Sequence, residues 1–337
     1  MVNIAYHLSF VNRYATLLAM KVGIESVQQD KITGSLQGLA VGDALGTTIE
    51  FARRDTVPPV TDIVGGGPFQ LEAGQWTDDT SMALCIAASL TETDSYNPTD
   101  QLKRFVRWRD EGYMSSNGHC FDIGTQTSSG LYDYERTGEP YRAETSSRNS
   151  GNGSLMRLAP VPMAFSDNIK LAGELSADSS RTTHSSLECQ EACGTYGQLI
   201  AGAINGSTKE ELFAFAKELA NTVTSSKIAE VLNGSYQTKT RDQISSSGYV
   251  VDSLEAALWA FANSDDFEQG ALLAVNLADD ADTVGAIYGQ LAGAYYGKSG
   301  IPERWIEKLH AAGMIENLAK QIASKIGTYA IKSVQYR

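Results

Sequence analysis

Apolar residues recur at three- and four-residue steps through most of the chain. The stretches "TSMALCIAASLTE", "PTDQLKRFVRWRDEG", "LECQEACGTYGQLIAGAI", "STKEELFAFAKELANTV", "VDSLEAALWAFANS" and "ERWIEKLHAAG" share this spacing, which gathers apolar side chains on one face of an α-helix. Several begin with Ser, Thr or Asp, whose side chains accept from the free N–H groups of a helix start. Runs that alternate apolar and polar positions are few, so the pattern predicts an all-α fold. Residues 142–154 and 235–249 are rich in Ser, Gly and Asn and read as loops.

Two helical segments break the propensity rules in the same way. In "GSLQGLAVGDALG" glycine returns every fourth residue, at Gly34, Gly38, Gly42 and Gly46; in "GAIYGQLAGAYYG" it returns at Gly285, Gly289, Gly293 and Gly297. Each glycine costs a helix interior about 1 kcal/mol relative to alanine. A ridge of them on one face is explained by close approach of another backbone. The two segments are therefore expected in the core, packed on each other. An antiparallel arrangement brings Glu50, just past the first, near Asp280 and Asp282 at the start of the second.

Composition narrows the function classes. A chain of 337 residues can hold about two domains or one large helical one. The net charge of -13 argues against nucleic acid as the main partner. Cys85, Cys120, Cys189 and Cys193 contain no CxxC pair, and Cys189 and Cys193, four apart in a helical stretch, read as buried thiols. The first residues lack a basic start followed by an unbroken apolar run, and no stretch reaches the roughly 18 apolar residues of a membrane span. A cytoplasmic protein without membrane contact is the expectation.

The chemistry concentrates in two acidic clusters. "NLADDADTVG" carries Asp279, Asp280, Asp282 and Thr283, and "GQWTDDTSMAL" carries Thr77, Asp78, Asp79 and Thr80. Each opens an apolar helix. Carboxylates at a helix start are stabilised by its dipole, so either cluster alone reads as a cap. Two clusters of similar make-up supply hard oxygen donors and favour Mg²⁺ or Mn²⁺ over zinc. With four or five carboxylates present, a two-metal site is the sharper reading.

The blocks "GLAVGDALGTTIEF", "WTDDTSMAL", "GYMSSNGHCFDIG", "SGNGSLMRLAPVP", "RTTHSSLE" and "DDADTVGAIYGQLAGAYYG" resemble the ADP-ribosylglycohydrolases, in the family's order and over roughly residues 31–297. "GYMSSNGHCFDIG" is most similar to the bacterial dinitrogenase-reductase-activating branch, which removes ADP-ribose from arginine. The resemblance implies a single compact orthogonal helical bundle over residues 31–337 and a binuclear Mg²⁺ or Mn²⁺ centre. Its ligands would be Thr77, Asp78 and Asp79 with Asp280, Asp282 and Thr283, and Asp279 would stand aside. The substrate would be an ADP-ribosylated protein. Glu50, Asp79 and Asp122 are unranked candidates for proton relay, with a plain helix cap as the alternative for Asp122. Asn152, Gly153, Ser154 and Met156 match the phosphate-binding block, while Arg157 beside them suits a phosphate or a carboxylate equally. Tyr113 and His184 match positions lining the ADP-ribose pocket, Tyr113 by stacking.

Most of the family begins near "GSLQGLAVGDALG". Here residues 1–30 precede it and include "AYHLSFVNRYATLLAMKVG", an amphipathic pattern that suits a helix docked on its own bundle or an arm that binds a partner. Some bacterial members act as immunity proteins that both reverse ADP-ribosylation and block the toxin, so a cognate ADP-ribosyltransferase toxin is the partner this extension suggests. A binding protein with an idle site and a hydrolase of another ADP-ribose-like molecule are the alternatives to the arginine-specific enzyme.

Overall fold

A computed structural model describes residues 26–143 and 150–332. Residues 1–25, most of the proposed arm, lie outside the described residues; residues 26–30 form the first turns of a long helix, α1, which runs to residue 46. There follow α2 (Asp78–Thr93), α3 (Pro98–Glu111), α4 (Thr125–Thr137), α5 (Pro160–Ala164), α6 (Ile169–Ser180) and α7 (Leu187–Ile204). The second half adds α8 (Lys209–Leu219), α9 (Ser226–Leu232), α10 (Val250–Ala262), α11 (Phe267–Val275), α12 (Ala281–Tyr296), α13 (Glu303–Lys308) and α14 (Ala312–Ser324). The sheet among the described residues is two residues wide: β1 (Ser95–Tyr96) pairs in parallel with β2 (Ala330–Ile331). No helix among the described residues is long and apolar enough to cross a membrane.

Six of the helix starts are closed by their own side chains. Asn97, Asn168, Ser186, Ser225 and Asp266 each accept from the backbone N–H three residues on, and Thr208 with Glu211 forms a reciprocal capping box on α8. Two of the uncapped helices begin in the acidic clusters. Thr77 before α2 and Asp280 before α12 occupy the cap position without making a side-chain cap bond.

The glycine ridges of α1 and α12 pack face to face and antiparallel. A Cβ at Gly34, Gly38 or Gly42 would stand 2.3, 2.3 or 2.0 Å from the carbonyl oxygen of Gly293, Gly289 or Gly285, and one at Gly46 would stand 2.3 Å from that of Ala281. Each step of four up one helix meets a step of four down the other. Only backbones without side chains can approach so closely. Residues 32–46 and 281–294 of the pair are buried, and Ser35 Oγ clamps it by donating to the Gln290 carbonyl at 2.9 Å. Its far end delivers the turn at Thr47–Ile49 and then Glu50 to the start of α12.

Candidate active site

Asp43 lies between Gly42 and Gly46 in the sequence of α1 and is fully buried. Its carboxylate accepts the backbone N–H groups of Thr77 (2.9 Å) and Thr80 (3.0 Å) and the Thr80 hydroxyl (2.6 Å). Asp43 therefore caps α2 from another helix and satisfies the donors that Thr77 would otherwise serve. Thr77 Oγ1 is free to lie 3.0 Å from Asp79 Oδ2, 3.2 Å from Asp282 Oδ2 and 3.1 Å from Asp43 Oδ1. One hydroxyl proton serves only one of these three acceptors at a time.

The approach to α12 is made of conformations that side-chain-bearing residues rarely adopt. Ala278 and Asp279 have φ of 62° and 58°, and Phe51, across from them, has 62°. Each costs of order 1–3 kcal/mol. Paired backbone bonds hold them: Phe51 N–H donates to the Asp279 carbonyl at 2.7 Å, and Asp279 N–H donates to that of Ala52 at 2.9 Å. The exchange fastens the segment after Glu50 to the segment before Asp280. Asp280 is fixed in turn by its N–H to the Ser246 carbonyl (3.0 Å) and by Asn152 Nδ2, which donates to Oδ2 at 2.6 Å.

Carboxylates consequently converge from four segments. Glu50, Asp122 and Asp282 each bring an oxygen within 4.8 Å of the other two, and Asp78, Asp79 and Asp280 surround them. Asp122 lies in a left-handed turn (φ 59°) before Gly124, which holds the cap position of α4, so Asp122 is not a helix cap. Among the described residues no lysine or arginine forms an ion pair with any of the six. Burial, reinforced by the neighbouring carboxylates, raises all their pKa values: Asp122 to about 7 and Glu50 to about 10, with Asp78, Asp79 and Asp282 also well above the usual range. Asp43 rises only to about 6, through burial partly offset by its bonds from Thr80 and Thr77. Glu50 Oε2, Asp79 Oδ1 and Asp282 Oδ1 are buried without any hydrogen-bond partner. Buried unpaired carboxylates are costly unless a counter-charge joins them, and this all-oxygen set matches hard divalent cations.

Above the carboxylates lies a cleft of about 350 Å³. Glu50, Asp78, Asp122, Asp280 and Thr283 line it, whereas Thr77, Asp79 and Asp282 lie beneath its floor. Asn152, Gly153, Met156 and His184 form another wall. The loop 151–153 is close-packed: a Cβ on Gly153 would stand 2.9 Å from the His184 ring. His184 Nδ1 meets the Thr183 hydroxyl at 2.7 Å, and that hydroxyl accepts from Arg157 at 2.7 Å. Its own proton is left for Nδ1, which places the N–H of His184 on Nε2, the nitrogen that faces the glycine loop. Burial, with Arg157 and Arg142 nearby, lowers the His184 pKa well below its ordinary value and keeps the ring neutral.

Two residues expected at the ligand, Ser154 and Tyr113, stand elsewhere. Ser154 is buried behind the loop, against Ser180 Oγ at 2.8 Å and Cys193. Tyr113 is not among the cleft-lining residues; its ring lies under Arg107 and its hydroxyl accepts from Arg104 at 3.1 Å. Arg157 takes neither a phosphate nor a carboxylate position, because it is buried over the Phe105 ring and donates to Thr182 and Thr183. The sequence did not single out Asp43 or the lining residues Phe51, Thr125 and Gln126. A charged residue inside a glycine ridge was the available signal for Asp43.

Residues 25–330 match the sequence profile of the ADP-ribosylglycohydrolase family. The chain is 43% identical over 298 residues to the ADP-ribosylarginine hydrolase Tri1 of Serratia proteamaculans, covering 88% of this chain and 80% of that one. It is 31% identical over 284 residues to the ADP-ribosyl-[dinitrogen reductase] glycohydrolase of Rhodospirillum rubrum, covering 83% and 90%. A solved structure titled "ADP-ribosylglycohydrolase-related protein complex" superposes with a TM-score of 0.79 at 40% identity, over 89% of this chain and 99% of that one. The chain belongs to the ADP-ribosylglycohydrolase family.

Proposed function

We propose that this protein hydrolyses the bond between ribose C1″ and a guanidinium nitrogen of arginine, releasing ADP-ribose from a modified protein. The observation that carries the reading is the set of buried carboxylate oxygens that, among the described residues, have neither a hydrogen-bond partner nor an ion pair. Relatives named for arginine hydrolysis, at 43% and 44% identity over most of the chain, support arginine as the acceptor. Two Mg²⁺ or Mn²⁺ ions fit the donor set, held by Thr77, Asp78, Asp79, Asp280, Asp282 and Thr283. Bound there, they supply positive charge for the ribose hydroxyls and for acidifying water.

The chain's own groups do the rest. Asp43 and Asn152 hold Thr77 and Asp280 at fixed angles. The loop 151–153 offers backbone close to the cleft, where His184 Nε2–H can meet a pyrophosphate oxygen. As water adds to C1″, the C–N bond breaks and the nitrogen leaves with a proton, so one carboxylate must take a proton and return it. Glu50 and Asp122 line the cleft and suit that exchange, whereas Asp79 lies beneath its floor against Thr77. All four cysteines are free thiols, as suits a cytoplasmic setting.

The test is release of ADP-ribose from an arginine-modified protein, with Mg²⁺ and then with EDTA, beside a serine-linked control. Release from arginine alone, abolished by EDTA, is expected, and Asp282→Ala should lower it by about two to four orders of magnitude. Release that persists in EDTA, or near-normal turnover by a folded Asp282→Ala, would refute the proposal.

A further inference from the structure

Three phenylalanines from three separate segments border the acidic side of the cleft. Phe51 follows Glu50 and lines the cleft, and Phe121 precedes Asp122. Phe69 stands between them, its ring centre 6.5 Å from that of Phe51 at 73° and 5.1 Å from that of Phe121 at 53°. Phe51 is 64% exposed, and Phe69 and Phe121 are half-buried.

Each ring is set by a defined backbone feature. Phe51 holds its left-handed conformation through the two backbone bonds that it and Ala52 exchange with Asp279. Phe69 sits in a turn closed by the Gly66–Leu71 bridge, and Gly67 in that turn packs so closely on Thr47 that a Cβ would stand 2.0 Å from its carbonyl oxygen. Phe121 leads into the left-handed residue Asp122. An aromatic row that three independent turns hold in water, continuous with a cleft, has the character of a recognition surface.

On the hydrolase reading proposed above, the ligand's own order locates this row. Pyrophosphate falls to the loop 151–153 and ribose to the carboxylates. The guanidinium and the polypeptide that bears it must then leave past Glu50 and Asp122, where the rings begin. The carboxylates attract the guanidinium cation, which leaves the rings beyond them to the residues on either side of it. We propose that Phe51, Phe69 and Phe121 form the acceptor-side surface, which receives the modified segment of the target protein by seating apolar side chains that flank its arginine.

Three substrates test this: free ADP-ribosylarginine, and two peptides with one ADP-ribosylated arginine flanked by leucines or by serines. Wild-type enzyme should favour the leucine peptide over the serine peptide by about tenfold in kcat/KM. Phe69→Ala should erase that preference with free ADP-ribosylarginine unaffected, and Phe69→Tyr should retain the preference. Equal rates on the two peptides would overturn the surface and leave the hydrolase reading standing. An equal loss on free ADP-ribosylarginine would place the ring under the nucleotide, and would also overturn it. No release from any of the three overturns both readings. The wild-type comparison needs no variant, and so decides the question even where Phe69→Ala folds poorly.

Discussion

Asp43 carries no contact with the cleft, yet it decides what the residues around it can do. By accepting the first free N–H groups of α2 it relieves Thr77 of capping and leaves the following carboxylates turned toward one another. Asp43→Asn replaces one acceptor oxygen with a donor facing the donors of Thr77 and Thr80. The folded protein should lose about 1–3 kcal/mol, and the Mg²⁺ concentration for half-maximal activity should rise about 10–100-fold. Calorimetric metal titration checks this directly; an unchanged affinity would show that Asp43 caps the helix and nothing more. At this scale the sequence disclosed the acidic residues but not their supports. The chemistry of Asp280 or Asp282 shows in the cluster itself, whereas Asp43 and Asn152 gain their roles from partners far along the chain. Ser154 and Arg157 show the converse: placed beside motif residues, they turn into the interior, where they meet Ser180, Thr182 and Thr183.

The helices fix where those residues meet. In the α1–α12 pair the facing backbones touch, so a single methyl has nowhere to go. Gly289→Ala adds a Cβ 1.9 Å from the Gly38 carbonyl oxygen. Alanine favours a helix by about 1 kcal/mol, but separation of the two backbones should outweigh that and destabilise the protein by about 1–3 kcal/mol net. Urea denaturation measures it, and a midpoint that holds or rises would contradict the close packing. This pair was legible because glycine at every fourth position weakens a helix and gains it nothing except a close backbone contact. Helices α4 and α6 were not. They bury Thr127, Gly130 and Leu131, and Ala172, Gly173, Leu175, Ser176, Ser179 and Ser180, so one leucine apiece among small and polar residues leaves little apolar period to read. The stretch "ERWIEKLHAAG" resolves into α13 and a break at Ala311, whose φ of 46° begins α14.

For the molecule as a whole, the acidic centre couples stability to pH and to cations. Carboxyl groups whose folded pKa values lie above the unfolded value of about 4 keep more protons in the folded state. Their stabilising effect is complete below that unfolded value and is lost as pH rises through the folded ones, about 6 for Asp43 and about 7 for Asp122. In EDTA the protein should therefore melt at a lower temperature at pH 8 than at pH 5.5, by about 5 °C or more. Mg²⁺ should restore the melting temperature at pH 8 and change it little at pH 5.5, where protons hold the same oxygens. Thermal melts across this range in EDTA and in Mg²⁺ check the sign. A metal-free protein that grows more stable with rising pH would mean that the carboxylates are solvated rather than buried together.

The ridge joining α1 to α12 also has a consequence in time. Glu50 and Asp282 belong to one site although more than two hundred residues of chain separate them, and α1 sets their alignment only by docking on α12. During synthesis the first acidic cluster emerges long before the second. Until α12 leaves the ribosome, Asp43, Asp78 and Asp79 have no opposing wall, and no cleft exists to concentrate their charge. The nascent chain thus passes most of its synthesis without a high-affinity place for a divalent cation, and its ability to cut a glycosidic bond arrives with one late docking event between two strips of bare backbone.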